Sequence, residues 1–146
     1  MDSDLRYACV VALGELGRSP DYRDRADAGR GLAGFAELPE AAALLLELVL
    51  DPGDTYVTLA TAEALFRRKD RSGSVVVASA MAGAGDNHVE WIATAAVKAL
   101  GMFSDDLDEA VRVCEALLRE ADEGLSAGAR RLLGILAEID PVLRPA

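Results

Sequence analysis

The stretch LATAEALFRR, from Leu59 to Arg68, is one of four similar segments that together decide the fold. The other three are ADAGRGLAGF at 26–35, IATAAVKALGMF at 92–103 and GARRLLGILA at 128–137. Within the four segments, one leucine recurs at separations of 33, 35 and 33 residues: Leu32, Leu65, Leu100 and Leu133. A fixed period of this length indicates a repeat architecture, in which each unit buries its apolar face against its neighbours.

Apolar stretches with helical spacing lie between these segments: AAALLLELV, SVVVASAM and EAVRVCEALL. Short breakers such as DPGD at 51–54 separate them, so we predict about eight helices. Only VVV at 75–77 has strand character, and helix is predicted there because no second strand is available to pair with it. We expect Asp54, and either Asp86 or Asn87, to cap the helices that follow, and Gly124 to end the helix that starts near Ser104.

Each unit has a first helix of small residues that ends in a pair such as Ala64-Leu65, then a Leu/Val-rich second helix. An aspartate, Asp51 or Asp86, precedes the next unit. In these features the chain resembles HEAT-type helical repeats from about Asp21 to Ile139. The resemblance implies an all-α, right-handed α-solenoid of about four antiparallel helix pairs in a single domain, 1–146. Its expected parts are a capping helix at 1–20, repeats at 21–53, 54–86 and 87–124, and a C-terminal capping helix at 125–140.

Charge and cysteine content narrow the class of protein. The net charge is −10, from 25 acidic and 15 basic residues. A general nucleic-acid binder needs a basic face, so no nucleic-acid partner is expected. The two distant cysteines, Cys9 and Cys114, are typical of buried apolar side chains in a reduced compartment. The chain starts without a basic segment before its apolar run, and AAALLLELVL at 41–50 is too short to span a bilayer. We therefore predict a cytoplasmic protein with no membrane partner.

Motifs for catalysis and metal binding are weak. GRGLAG at 29–34 matches GxGxxG, but DYRDRAD before it cannot form the buried strand that a dinucleotide site requires, so a tightly packed helix face is predicted. His88, the single histidine, is predicted to lie at a helix start. One histidine and two distant cysteines cannot form a usual zinc site, and the acidic run at 105–109 lacks the spacing of a calcium loop. No catalytic residue, cofactor or metal is predicted.

The basic cluster, which comprises Arg67, Arg68, Lys69 and Arg71, stands out in an acidic chain. Cations suit a helix C-terminus because they face the negative end of the helix dipole. A helix-end role is therefore the first interpretation, a docking site for an acidic partner the second, and a nucleic-acid site the weakest. Trp91 also has two interpretations, as packing between repeats or as the aromatic anchor of a binding surface.

HEAT-like proteins similar to this chain usually act as protein-interaction scaffolds, with the second helices lining a concave face. The resemblance therefore implies a non-catalytic module that binds a protein or peptide on this face or on the loop ridge. Seven residues are candidates for partner contact: Arg67, Arg68, Arg71, Trp91, Arg112, Glu115 and Arg119.

Two alternative functions stay open. One is a HEAT-like enzyme that handles a small ligand or a chromophore, with Cys114 and Glu115 as its candidate residues. The other is an acidic neutraliser of a basic toxin or effector, whose affinity would fall with salt. The sequence leaves the oligomeric state open.

Overall fold

In a computed structural model of the chain, residues 2–145 are described, and they form eight α-helices. Met1 and Ala146, the ends of the predicted domain, lie outside these residues. The helices are α1 (Ser3–Leu16), α2 (Tyr22–Ala33), α3 (Pro39–Val49), α4 (Thr55–Phe66), α5 (Arg71–Gly83), α6 (Asp86–Leu100), α7 (Ser104–Leu117) and α8 (Glu123–Ala137). The predicted all-α, solenoid-like arrangement is thus confirmed.

Aspartates begin most of the helices in the described part of the chain. The carboxylate of Asp54, for example, accepts a hydrogen bond from the amide of Tyr56 at 2.8 Å, which satisfies one of the free donors of the first turn. Helix α3 instead begins with Pro39, whose fixed φ suits the first helical position. The predicted cap at Asp54 is confirmed, and aspartates act in the same way at four other helix starts: Asp2, Asp21, Asp70 and Asp122.

Two predicted helix boundaries are wrong, the start of α6 and the end of α7. Gly85, and neither Asp86 nor Asn87, is the residue before α6, and Asp86 already lies in the first turn of that helix. Gly124 does not end α7, which stops at Leu117; it lies in the first turn of α8. The reason is Asp122, whose carboxylate accepts a hydrogen bond from the Leu125 amide at 3.0 Å and so starts a new helix.

Two rows of helices share one continuous core. Helices α2, α4 and α6 pack side by side, and α3, α5 and α7 form the second row, while α1 covers α2 and α3. The repeat spacing is visible in the burial of the chain: the residues four positions before the recurring leucines are all fully buried. These residues are Ala28, Thr61, Ala96 and Ala129.

The repeat register slips in α8. The recurring leucines Leu32, Leu65 and Leu100 are buried, but Leu133 is only half-buried and its neighbour Leu132 takes the core position. One residue is a rotation of about 100° around a helix axis. Helix α8 therefore does not present its residues as α2, α4 and α6 do.

Small residues explain where α8 goes. A Cβ atom on Gly128 would lie 1.8 Å from the carbonyl oxygen of Ala78, so the backbones of α8 and α5 are in direct contact. Helices approach this closely only where side chains are small. Helix α8 thus packs mainly on α5 and touches α6 only slightly. No helix in residues 2–145 combines the length and the apolar character that crossing a membrane would require.

Candidate functional site

A groove of about 400 Å³ runs between α6 and α8, where the slip of α8 leaves the flank of α6 uncovered. Its size lies in the range of about 300–1,000 Å³ that is usual for binding pockets. Its lining is mainly apolar: Met81, Val89, Ala93, Val97, Arg131, Gly134, Ile135, Glu138 and Ile139.

The α6 wall of the groove is an uninterrupted apolar stripe. Val89, Ala93 and Val97 are four residues apart and therefore lie one above the other on the helix. Val97 remains 54% exposed, although the same helix buries its other side in the core. On the α8 wall, a Cβ atom on Gly134 would meet no atom within 4 Å. The groove is thus open at its centre, where Ala93 and Gly134 leave room for a larger side chain.

The polar groups of the groove are few and partly engaged. The Arg131 guanidinium donates hydrogen bonds to the carbonyl oxygens of Met81 and Ala84, the latter at 3.3 Å. These carbonyls lie at the C-terminus of α5, where a cation is favoured by the helix dipole. Glu138 caps the end of α8 and is exposed. Such a surface suits apolar side chains rather than a polar small molecule, which needs several convergent hydrogen-bonding groups.

The basic cluster forms the turn between α4 and α5, and its side chains contact acidic residues of the same chain. Arg68 is the most engaged: it donates to both carboxylate oxygens of Asp70 at 3.1 and 2.9 Å, to Glu37 at 3.1 Å and to the carbonyl of Ala33 at 2.9 Å. Burial alone would raise the pKa of Asp70, but the Arg68 contact and the hydrogen bond from the Gly73 amide together outweigh it, and this pKa lies below its ordinary value. Arg68 thus links the turn to the preceding repeat.

Lys69 and Arg71 link the same turn to the following repeat. The Lys69 ammonium lies 2.9 Å from Asp106 of α7, which raises the pKa of Lys69, and its backbone holds a left-handed φ of 53°. Arg71 lies 2.5 Å from Glu120 just beyond α7. Because Arg71 is the first residue of α5, the helix dipole does not favour its charge, and Glu120 does. The helix-end interpretation therefore fits Arg67, the C-cap of α4, but not Arg71.

The structure brings the other candidate contact residues together only in part. Arg67 is exposed and pairs with Glu63 at 3.2 Å. Arg112 and Glu115 are exposed on α7, three residues apart, and Arg119 is exposed in the turn just after this helix. Trp91 is half-buried on α6. The ion pair of Arg71 with Glu120 brings Arg71 near Arg119, and the role of the seven candidates in partner binding stays a prediction.

His88 lies near the start of α6, as predicted, and it has a structural contact there. Its Nε2 lies 2.9 Å from the carbonyl oxygen of Asp51, so Nε2 must carry the proton. The Asp51 carboxylate is in turn bound by Arg25 of α2, at 3.0 and 3.2 Å, and by the amides of Gly53 and Asp54. Burial alone would raise the pKa of Asp51, but these donors outweigh it, and the pKa lies below its ordinary value.

Cys114 lies on the inner side of α7 and is 2% exposed. Burial raises the pKa of its thiol to about 11, although a hydrogen bond with Ser74 acts in the opposite direction. The side chain is therefore protonated at neutral pH and closed to solvent, which is unsuitable for a nucleophile. Cys9 and Cys114 form no disulfide.

Sequence reasoning missed the α6–α8 groove. Leu133 continues the repeat spacing, which suggests that α8 packs on α6 in the same way that α6 packs on α4. In that arrangement α8 would cover the flank of α6. One signal was present: Gly128 and Gly134 stand six residues apart in one helix, so they point to different sides of it. The sequence does not show which side meets α5.

Comparisons with known proteins add little. No family model matches the chain, and no curated protein matches it. One similar solved structure is a crystal structure of an engineered protein, which is 23% identical with a TM-score of 0.36. The alignment covers 90% of this chain, which spans 64% of the length of the engineered protein. At this TM-score the likeness supports no argument about fold or function.

Proposed function

We propose that the protein is a non-catalytic, HEAT-like interaction module that binds a helical segment of a protein partner in the α6–α8 groove. The observation that carries the proposal is the apolar stripe of Val89, Ala93 and Val97, half-buried at its first two positions and exposed at Val97, on a helix whose other side is core. An open apolar groove between helices is the surface on which amphipathic helices dock, through side chains at i, i+3 or i+4, and i+7. We place the module in the cytoplasm, in keeping with its two unpaired cysteines.

Rigidity of the scaffold supports this function. The two helices that form the groove are each fixed to the core, α6 by Ile92 and Leu100 and α8 by Leu132 and Leu136, all of which are at most 1% exposed. A preformed groove loses little conformational entropy when a partner binds. The proposed binding surface thus lies at the end of the helix row and not on the second helices, where the HEAT-like resemblance implied it.

A comparative pull-down from the native cell extract tests the proposal. The baits are the wild-type chain, Val97→Glu and the control Ala43→Glu, which places the same charge on an exposed position of α3. We expect the wild type and Ala43→Glu to capture the same protein and Val97→Glu to lose most of it, because burying a carboxylate in the groove is unfavourable. Equal capture by all three baits, or no capture above background, would contradict the proposal.

A further inference from the structure

Most of the exposed large apolar side chains lie toward the two ends of the helix array; the exceptions are Tyr22 of α2 and Tyr56 of α4, whose rings pack edge to face. Among the described residues, three lie on α1, namely Leu5, Tyr7 and Val11, and Val97 lies in the groove at the other end. Four more lie where the C-terminal tail pairs with the loop after α6: Met102, Phe103, Val142 and Leu143. Helical repeat arrays normally cover both ends with polar capping surfaces, because an apolar end invites association.

The exposed half of α1 has the pattern of a docking helix. Between Asp4 and Glu15, the exposed positions 5, 7, 8, 11 and 12 are all apolar or aromatic. The polar residue between them, Arg6, is half-buried and paired with Glu37. Helix α1 thus covers α2 and α3 at the end of the array, yet its solvent-exposed face is as apolar as a buried helix face.

From these two ends we infer that the groove binds α1 of a second copy of this chain, in a head-to-tail arrangement. This inference rests on the proposed function, because it names the helix that the groove takes. It continues the stacking already present in the molecule: α1 covers α2, then α4 and α6 follow, and the open flank of α6 receives the α1 of the next copy. The groove and the apolar face of α1 are different surfaces, so the contact is heterologous and each copy keeps one free end.

Charge decides how this association depends on salt. The apolar face of α1 ends in two acidic residues, Asp4 and Glu15. The groove has Arg131 and the carboxylate of Glu138 in its lining, and Lys98 is exposed next to Val97. Over longer distances each copy carries a net charge of −10, so two copies repel each other. Because salt screens this repulsion, self-association should strengthen as salt rises, whereas binding of a basic partner would weaken.

The contact is expected to be weak. One 14-residue helix covers less surface than the roughly 800 Å² per partner of a standard stable interface. Association should therefore become measurable at protein concentrations on the order of 100 µM. Analytical ultracentrifugation or light scattering behind a sizing column measures the mass directly across this range.

A complementation experiment tests the inference. Val11→Glu blocks the α1 face and leaves the groove intact, and Val97→Glu blocks the groove and leaves α1 intact. We expect each variant alone to be a monomer at a concentration where the wild type and the Ala43→Glu control associate. An equimolar mixture of the two variants should form a dimer that grows no further, because it contains one working contact and two blocked ends.

Other outcomes would overturn the inference. A monomeric wild type at all concentrations, or a mixture of the two variants that stays monomeric, excludes the head-to-tail contact. If Val97→Glu then still loses a different protein in the pull-down, the groove binds a foreign helix, and the proposed function survives without this inference. If self-association is seen but Val97→Glu leaves it unchanged, the contact lies elsewhere and the inference is equally wrong.

Discussion

Helix α8 packs in opposite ways on two of its neighbours, α5 and α6. On one side, Gly128 brings its backbone against that of α5, with no room for even one carbon atom. On the other side, Gly134 faces open space and leaves a groove of about 400 Å³ to α6. The two glycines lie less than two turns apart, so the comparison shows that one helix can close the core and expose a surface at the same time.

The largest effect is expected at the closed side. Gly128→Ala would place a Cβ atom 1.8 Å from the Ala78 carbonyl oxygen, so α8 must move away from α5. Because the obstacle is backbone and not a flexible side chain, we expect a loss of about 3 kcal/mol in the free energy of unfolding. Urea denaturation followed by circular dichroism measures it. The control Ala127→Ser, at the exposed neighbouring position, should change the midpoint little.

A second prediction concerns the polar contacts that connect the helices of the row α2, α4 and α6. Helix α8 does not continue this row. Asp51→Ala removes the carboxylate that pairs with Arg25 and accepts two amides. We expect the unfolding free energy to fall by about 2 kcal/mol, since a mostly buried guanidinium and two donors lose their partner. Asp27→Ala, which removes an exposed pair with Arg30, should lose no more than about 0.5 kcal/mol. Equal losses would mean that the buried pair contributes no more to the unfolding free energy than the exposed pair does.

The same pair predicts a dependence on pH. The pKa of Asp51 is lower in the folded protein than its ordinary value of 3.8, so its contribution to stability is fully present above about pH 4. The contribution is lost as pH falls through the folded pKa. The difference in stability between the wild type and Asp51→Ala should therefore shrink below pH 4. A difference that stays constant from pH 7 to pH 3 would show that the charge of Asp51 is not what stabilises this loop.

How much the sequence predicts also differs between the first three repeat units and α8. The helices, the cap at Asp54 and the buried leucines of the first three units follow from local spacing, because propensity and periodicity act within one helix. The position of α8 depends on a contact between Gly128 and Ala78, fifty residues apart, which local spacing cannot show. The groove exists because of that contact, and this is why sequence reasoning missed it.

The basic cluster shows the same limit. Its place in the turn between the helices of the second repeat is predictable from the breaker residues around it. Its partners Glu37, Asp106 and Glu120 come from other repeats, and their proximity is a result of stacking. A cluster that looks free in the sequence therefore consists largely of links between repeats.

At the open side, Gly134→Ala is expected to stabilise the protein. The position is helical, an added Cβ atom meets nothing within 4 Å, and alanine restricts the unfolded chain. We expect a gain of about 0.5–1 kcal/mol in the unfolding free energy. A loss in the same urea experiment would mean that α8 packs tightly on this side too, and the contrast between its two faces would disappear.

The smallest expected change gives the most direct test of the open groove. The unfolding free energy of Val97→Glu, measured in dilute protein, should stay within about 0.5 kcal/mol of the wild type, because a surface substitution leaves the core intact. Ile92→Glu, on the same helix but with its side chain fully buried, should unfold the protein or come close to it. If Val97→Glu instead loses about 2 kcal/mol or more, Val97 is a core residue, the flank of α6 is covered, and there is no open groove between α6 and α8.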